Sequence, residues 1–183
     1  MSHRCRILLV ACVTWSVWTT PSYALSFVDL VDFDGPEVGP GDTGSISVAD
    51  NAPPAWLHDI TDDFGGVSLG NVALSEATLT VTYRRTSDSA ESWSLAADGI
   101  SVGPLTPTNT PIVTTAYALS PAILVALQAD GRLSIVPLES TTGTDTFRLY
   151  RSTLSGEYSV VPEPGTAFLL VGGLLGLLRR RRI

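Results

Sequence analysis

Between residues 25 and 158 the dominant pattern is an alternation of apolar and polar side chains with a period of two. The clearest case is Ala77-Thr78-Leu79-Thr80-Val81-Thr82-Tyr83. Leu79, Val81 and Tyr83 fall on one face and three threonines on the other, which predicts a half-buried strand. Threonine suits the solvated side of a sheet. Two Asp-Gly pairs predict hairpins, because this dipeptide supplies the positive φ of a tight turn. Residues 92–97 and 100–102 flank Asp98-Gly99, and residues 123–128 and 132–136 flank Asp130-Gly131. Further strands are expected at residues 26–31, 45–48, 67–69, 112–119 and 147–154. No sustained helical period interrupts them. The expected fold is all-β: a single β-sandwich, jelly-roll-like, over residues 25–156, followed by a linker at 157–161.

The two ends carry different patterns. Arg4 and Arg6 precede an apolar run from Ile7 to Trp18, and Ser22 and Ala24 then give a small-x-small pair. That order predicts a secretory signal peptide at residues 1–24, with signal peptidase cutting after Ala24. Leu9-Val10-Ala11-Cys12 fits a lipobox, but the apolar run continues past Cys12, which favours the secretory reading. At the other end an uncharged Gly- and Leu-rich stretch, residues 166–178, leads to Arg179, Arg180, Arg181 and Arg182. As a helix it would span about 20 Å, short of a hydrocarbon core of about 30 Å. Arginine snorkelling and local thinning of the bilayer cover part of the difference. The arginines form a cytoplasmic stop under the positive-inside rule. Gly172 and Gly176 make a GxxxG pair, which general glycine richness explains as well as helix dimerisation does.

Charge separates the middle from the ends. Five arginines stand against 18 acidic residues from residue 25 to 163, a balance of −13, and the chain has no lysine. Such a surface repels nucleic acid and anionic lipid. Both cysteines, Cys5 and Cys12, precede residue 25, so the middle has no disulfide, thiol nucleophile or cysteine zinc site.

The most specific motif is Val161-Pro162-Glu163-Pro164-Gly165-Thr166, followed by the apolar span and the arginine cluster. Pro162 and Pro164 fix φ and remove backbone donors, which leaves an extended, accessible peptide. In content and order, residues 162–183 resemble the PEP-CTERM sorting signal, also labelled an ice-binding-protein C-terminal domain. The resemblance implies that exosortase, an integral membrane enzyme, recognises Pro162, Glu163 and Pro164. It further implies that the span 166–178 holds the chain in the inner membrane until processing, and that the product reaches the cell surface or extracellular matrix of an exopolysaccharide-producing bacterium. A permanent, uncut anchor is the alternative. The run Trp56-Leu57-His58-Asp59-Ile60-Thr61-Asp62-Asp63 also resembles a stretch of secreted PEP-CTERM β-sandwich proteins that precedes the first sheet edge.

Candidate chemistry in the middle is sparse. His58, Asp59, Asp62 and Asp63 are a candidate metal set, with calcium the cation and Asp32, Asp34 and Glu37 as extra ligands if the fold brings them close. Calcium needs six to eight oxygens, and turn or cap chemistry accounts for such residues more simply. A Ser-His-Asp relay would have to use His58, and no Gly-x-Ser-x-Gly elbow is present. The expectation is a non-catalytic structural or binding protein without a cofactor. A carbohydrate- or calcium-binding module of the exopolysaccharide layer and a polysaccharide hydrolase are the alternatives. Trp56, Tyr83, Trp93, Tyr117 and Tyr150 could stack on sugar rings, although such aromatics more often fill a core. The row Thr78, Thr80, Thr82 lies on one strand, whereas a flat ice-binding face needs several.

Overall fold

A computed structural model describes residues 23–33, 45–49, 53–84, 92–107, 112–140 and 146–161. These residues form two antiparallel sheets and one α-helix. The first sheet contains β1 (Leu25–Asp32), β2 (Ile46–Ala49), β4 (Val72–Arg84), β7 (Val113–Ala118) and β9 (Thr146–Val160). The second contains β3 (Trp56–Asp59), β5 (Trp93–Ala97), β6 (Ile100–Pro104) and β8 (Arg132–Glu139), in the order β3-β8-β5-β6. Strand β9 is the spine of the first sheet. One of its edges takes β1 over residues 151–158 and β2 over 146–149, and the other takes β4 along 148–160. Strand β7 closes the far side of β4.

The strand expected at residues 77–83 lies inside β4, and its inward side chains Ala77, Leu79, Val81 and Tyr83 are buried. They face Trp93, Leu95 and Ala97 of β5 and Leu133 and Ile135 of β8 across the core. Phe147 meets Trp93 edge-on, with ring centroids 4.8 Å apart. Each large side chain buried here stabilises the sandwich by about 1.5–3 kcal/mol. Asp98 and Gly99 adopt φ of 49° and 78°, as the predicted β5–β6 hairpin turn demands.

Two register shifts in the β4–β9 pair decide which residues face inward. The register steps from Thr82↔Arg151 to Tyr83↔Leu149, so Tyr150 is an extra residue. A bulge of this kind flips the alternation. Phe147 and Leu149 point into the core on one side of it, and Ser152, Leu154 and Tyr158 on the other. Ser75 makes the second shift in β4.

Three expectations change. Residues 123–128 are not a strand but part of helix α1 (Pro121–Asp130). Ser120 caps its start, with Oγ accepting from the Ile123 N–H at 3.4 Å, and Pro121 occupies the first turn, where no N–H is needed. Asp130-Gly131 is accordingly the helix end and not a hairpin: Gly131, at φ 74°, donates to the Leu127 carbonyl at 2.8 Å. Residues 67–69 are not a strand either. They lead into a 3₁₀ turn, Leu69–Asn71, that immediately precedes β4. Finally, β9 runs to Val160, so residues 157–160, read from sequence as linker, are strand paired with β1 and β4.

Candidate functional site

Phe27, Asp29 and Val31 occupy inward positions of β1, which puts a carboxylate where an apolar residue is the norm. Facing it from the other sheet is His58 on β3, with no exposed surface. Its Nδ1 lies 2.6 Å from Asp29 Oδ2, and its Nε2 lies 2.8 Å from Ser152 Oγ on β9. Burial of the ring pulls the His58 pKa below its ordinary value, against the opposing pull of the Asp29 carboxylate. The imidazole is therefore neutral near pH 7. The carboxylate can only accept, so Nδ1–H donates to Asp29 and Nε2 accepts from the Ser152 hydroxyl. Asp29 Oδ2 also accepts from the Asp59 N–H at 3.3 Å.

The order carboxylate, imidazole, hydroxyl is that of a nucleophilic relay. Ser152, however, is fully buried in the sandwich core, and a substrate carbonyl has no approach to its Oγ as placed. What the three residues do in this arrangement is tie β1 and β9 of one sheet to β3 of the other. Sequence reasoning missed Asp29 and Ser152. The acid at an inward strand position was a readable signal for Asp29. Ser152 had none, because its inward direction depends on the Tyr150 bulge.

The remaining metal candidates do not converge. Asp59 accepts from Thr61 N–H at 3.1 Å and Thr61 Oγ1 at 2.6 Å through Oδ1, and from Arg132 Nε at 2.9 Å through Oδ2. The Thr61 hydrogen bonds, with help from Arg132, hold its carboxyl below the usual range. Asp62 and Asp63 sit in the following turn, and partial burial with nearby Asp29, Asp62 and Asp59 pushes the Asp63 carboxyl up. Asp32 lies 3.7 Å from Arg151. Among the described residues no group of three or more His, Cys, Asp or Glu is arranged to hold a metal ion. Asp34 and Glu37 lie outside the described residues.

Four of the five candidate sugar-stacking aromatics, Trp56, Tyr83, Trp93 and Tyr150, are buried. Tyr117 is half-buried, with its hydroxyl donating to the Pro104 carbonyl at 2.7 Å. The threonine row does have neighbours. Register places Val28–Ser155–Thr78–Ala118 and Leu30–Thr153–Thr80–Ala116 side by side across four strands. These two uncharged rows form the middle of the outer face of the first sheet. Asp32–Arg151–Thr82–Thr114 bounds them on one side and Ser26–Glu157–Glu76 on the other.

Ala24 is exposed and directly precedes β1, which opens at Leu25. Ser22, the motif Pro162, Glu163 and Pro164, the apolar span 166–178 and Arg179 to Arg182 lie outside the described residues. Among the described residues no helix is long and apolar enough to cross a membrane. The last described residue, Val161, donates to the Asn71 carbonyl at 2.7 Å, which fixes the start of the tail against the sandwich.

No curated protein matches the chain. Among solved structures, it is similar to the EclA C-terminal domain, described as a sugar-binding protein, at 16% identity and a TM-score of 0.43, over 66% of this chain and 83% of that one. It is also similar to dimeric latent PorU from Porphyromonas gingivalis, at 15% identity and a TM-score of 0.41, over 76% of this chain and 14% of that one. Residues 160–182 match the PEP-CTERM protein-sorting motif, so the chain carries that sorting signal, which begins at the final residue of β9.

Proposed function

We propose that this chain is an exported protein whose β-sandwich has a non-catalytic structural or binding role at the cell surface or in the extracellular matrix, delivered there by exosortase acting on its C-terminal tail. The observation that carries the reading is the PEP-CTERM match at residues 160–182, a motif that implies export and surface sorting. In this reading signal peptidase removes residues 1–24, the span 166–178 holds the intermediate in the membrane, and Arg179 to Arg182 stay on the cytoplasmic side. Pro162, Glu163 and Pro164 are substrate. What supports this is position along the chain: Val160 ends β9, and Pro162 follows two residues later in the sequence. Burial of Ser152 and His58 favours a structural role for the one relay-like arrangement over catalysis. The test is the intact mass of the protein from surface and medium fractions of its host. A product starting at Leu25 and ending near Pro162 to Pro164 is expected. A mass that retains Arg179 to Arg182 means a permanent anchor and sinks the exosortase step.

A second reading, carbohydrate binding in the exopolysaccharide layer, is favoured by the two uncharged hydroxyl-bearing rows on the outer sheet face. A neutral polymer can approach them, whereas the acidic remainder of the surface repels an acidic one. Co-sedimentation with an insoluble neutral glucan should fall at least tenfold in Thr80→Glu. Equal retention of the variant and the native protein counts against this face.

A further inference from the structure

The outer face of the first sheet gathers positive charge at one end. Five arginines lie between residues 25 and 163, and three of them, Arg84, Arg148 and Arg151, meet there. Arg148 and Arg151 are three residues apart on β9, a spacing that in a regular strand puts two side chains on opposite faces. The Tyr150 bulge absorbs the odd residue. Phe147, Leu149 and Ser152 point inward, so Arg148 and Arg151 both point out. Register then sets Arg84 of β4 directly opposite Arg148, with Ser47 of β2 on the other side of Arg148. The adjoining row is Asp32–Arg151–Thr82–Thr114.

Like charges directly opposed across a strand pair destabilise a sheet. Arg151 Nη2 lies 3.7 Å from Asp32 Oδ2, longer than a direct hydrogen bond. Arg148 Nη1 donates to the Ser45 hydroxyl at 3.2 Å. The guanidinium carbon of Arg84 lies 5.8 Å from the centre of the Tyr150 ring, and its buried Nε has no hydrogen-bond partner. Among the described residues neither Arg84 nor Arg148 is in an ion pair. Three guanidinium groups thus stand against one described carboxylate.

We propose that this end of the sheet is an anion-binding site, and that it takes a carboxylate carried by an otherwise neutral glycan. Planar, forked guanidinium donors match a carboxylate geometrically. The balance of −13 over residues 25–163 repels a densely charged polymer, so the carboxylates must be sparse. The surroundings select a sugar chain as the bearer. Two residues along β9 from Arg151 and along β4 from Thr82 come Thr153 and Thr80, and two further on come Ser155 and Thr78. A uronate seated on the arginines lets the neutral sugars next to it cross these hydroxyl-bearing rows. The choice of a glycan rests on the carbohydrate reading given above.

The full-length protein in mild detergent tests this on immobilised glucuronoxylan, a neutral xylan with scattered uronates, and on the same polymer after its carboxyls are reduced to alcohols. Retention on the native polymer is expected, weakened by salt. Retention on the reduced polymer should be about tenfold lower, as for the loss of one charge-assisted hydrogen bond. Arg148→Gln should abolish that difference without lowering the melting temperature. Arg132→Gln, on the other sheet, changes the net charge equally and should preserve the difference. Equal retention on both polymers overturns the anion site and leaves the neutral-glycan reading standing. An equal loss in Arg148→Gln and Arg132→Gln assigns the effect to net charge and overturns it too. Retention on neither polymer also overturns it, and the neutral-glucan assay then decides the carbohydrate reading separately.

Discussion

At the scale of single residues, His58 is the position on which the sandwich is most exposed to change. Among the described residues it is the one histidine, it is buried, and both ring nitrogens are engaged. Its pKa is lowered in the fold by burial, so the unfolded chain takes up a proton more readily than the folded one. The sign follows from linkage: this contribution to stability is complete above the ordinary value of 6.5 and declines as pH falls from there towards the folded pKa. A midpoint of thermal unfolding that drops between about pH 7 and pH 5 is expected, and His58→Gln should flatten that drop. The Asp59 contribution is lost in a lower window, below its ordinary 3.8, because its pKa is lowered as a carboxylate. A His58→Gln variant that keeps the full slope above pH 5 would remove His58 as its source. From the sequence, His58 was legible as a residue to watch, and its role was not. The partners that define it lie 29 and 94 residues away along the chain, and only the packed sheets bring them together.

Elements tell a similar story at longer range. Strand β4 was readable because its alternation is a local property. Helix α1 was misread because Ile123, Leu124 and Val125 are good strand formers and Asp-Gly is a good hairpin turn. The deciding cues were Ser120-Pro121 at the start and Gly131 at the end, both helix punctuation. Tertiary contacts then stabilise the choice: Ile123 and Leu127 enter the core, and Gln128 accepts from Leu74 N–H at 2.8 Å and donates to the Val72 carbonyl at 2.9 Å. A second element-level dependence is invisible in sequence. Gly156 of β9 lies under the Phe27 ring of its β1 partner, and a Cβ there would sit 2.7 Å from that ring and collide with the Glu76 carbonyl. The neighbour on the β4 side is backbone and cannot turn aside. Gly156→Ala should therefore cost about 3 kcal/mol or more, beyond ordinary overpacking. Urea unfolding checks it, and a cost under about 1 kcal/mol would mean that β4 or β1 gives way easily.

For the molecule as a whole, composition and periodicity were enough to reach a β-sandwich, because both are averages over many residues. Topology was not accessible, since nothing local says that β9 pairs with β1, β2 and β4 at once. The tail was legible for the opposite reason: its motif is short, ordered and independent of the fold. The processed mass carries information at this scale too. A cut after Ala24 preserves β1 from its first residue, whereas a cut past Asp29 would take away the carboxylate on His58.

The antiparallel pairing of Leu25 with Tyr158 means that β1 begins where β9 finishes, and the pairing partners of β9 mean that the first sheet has no centre until its final strand arrives. A ribosome delivers that strand last. Until residue 160 is available, β1 and β2 have no neighbour and only β4 and β7 can pair within that sheet. The body can therefore complete itself only in a chain that includes β9, the strand directly followed by the sorting signal. A chain truncated before β9 would present the export and sorting machinery with no finished cargo, so the architecture couples a completed fold to possession of the address.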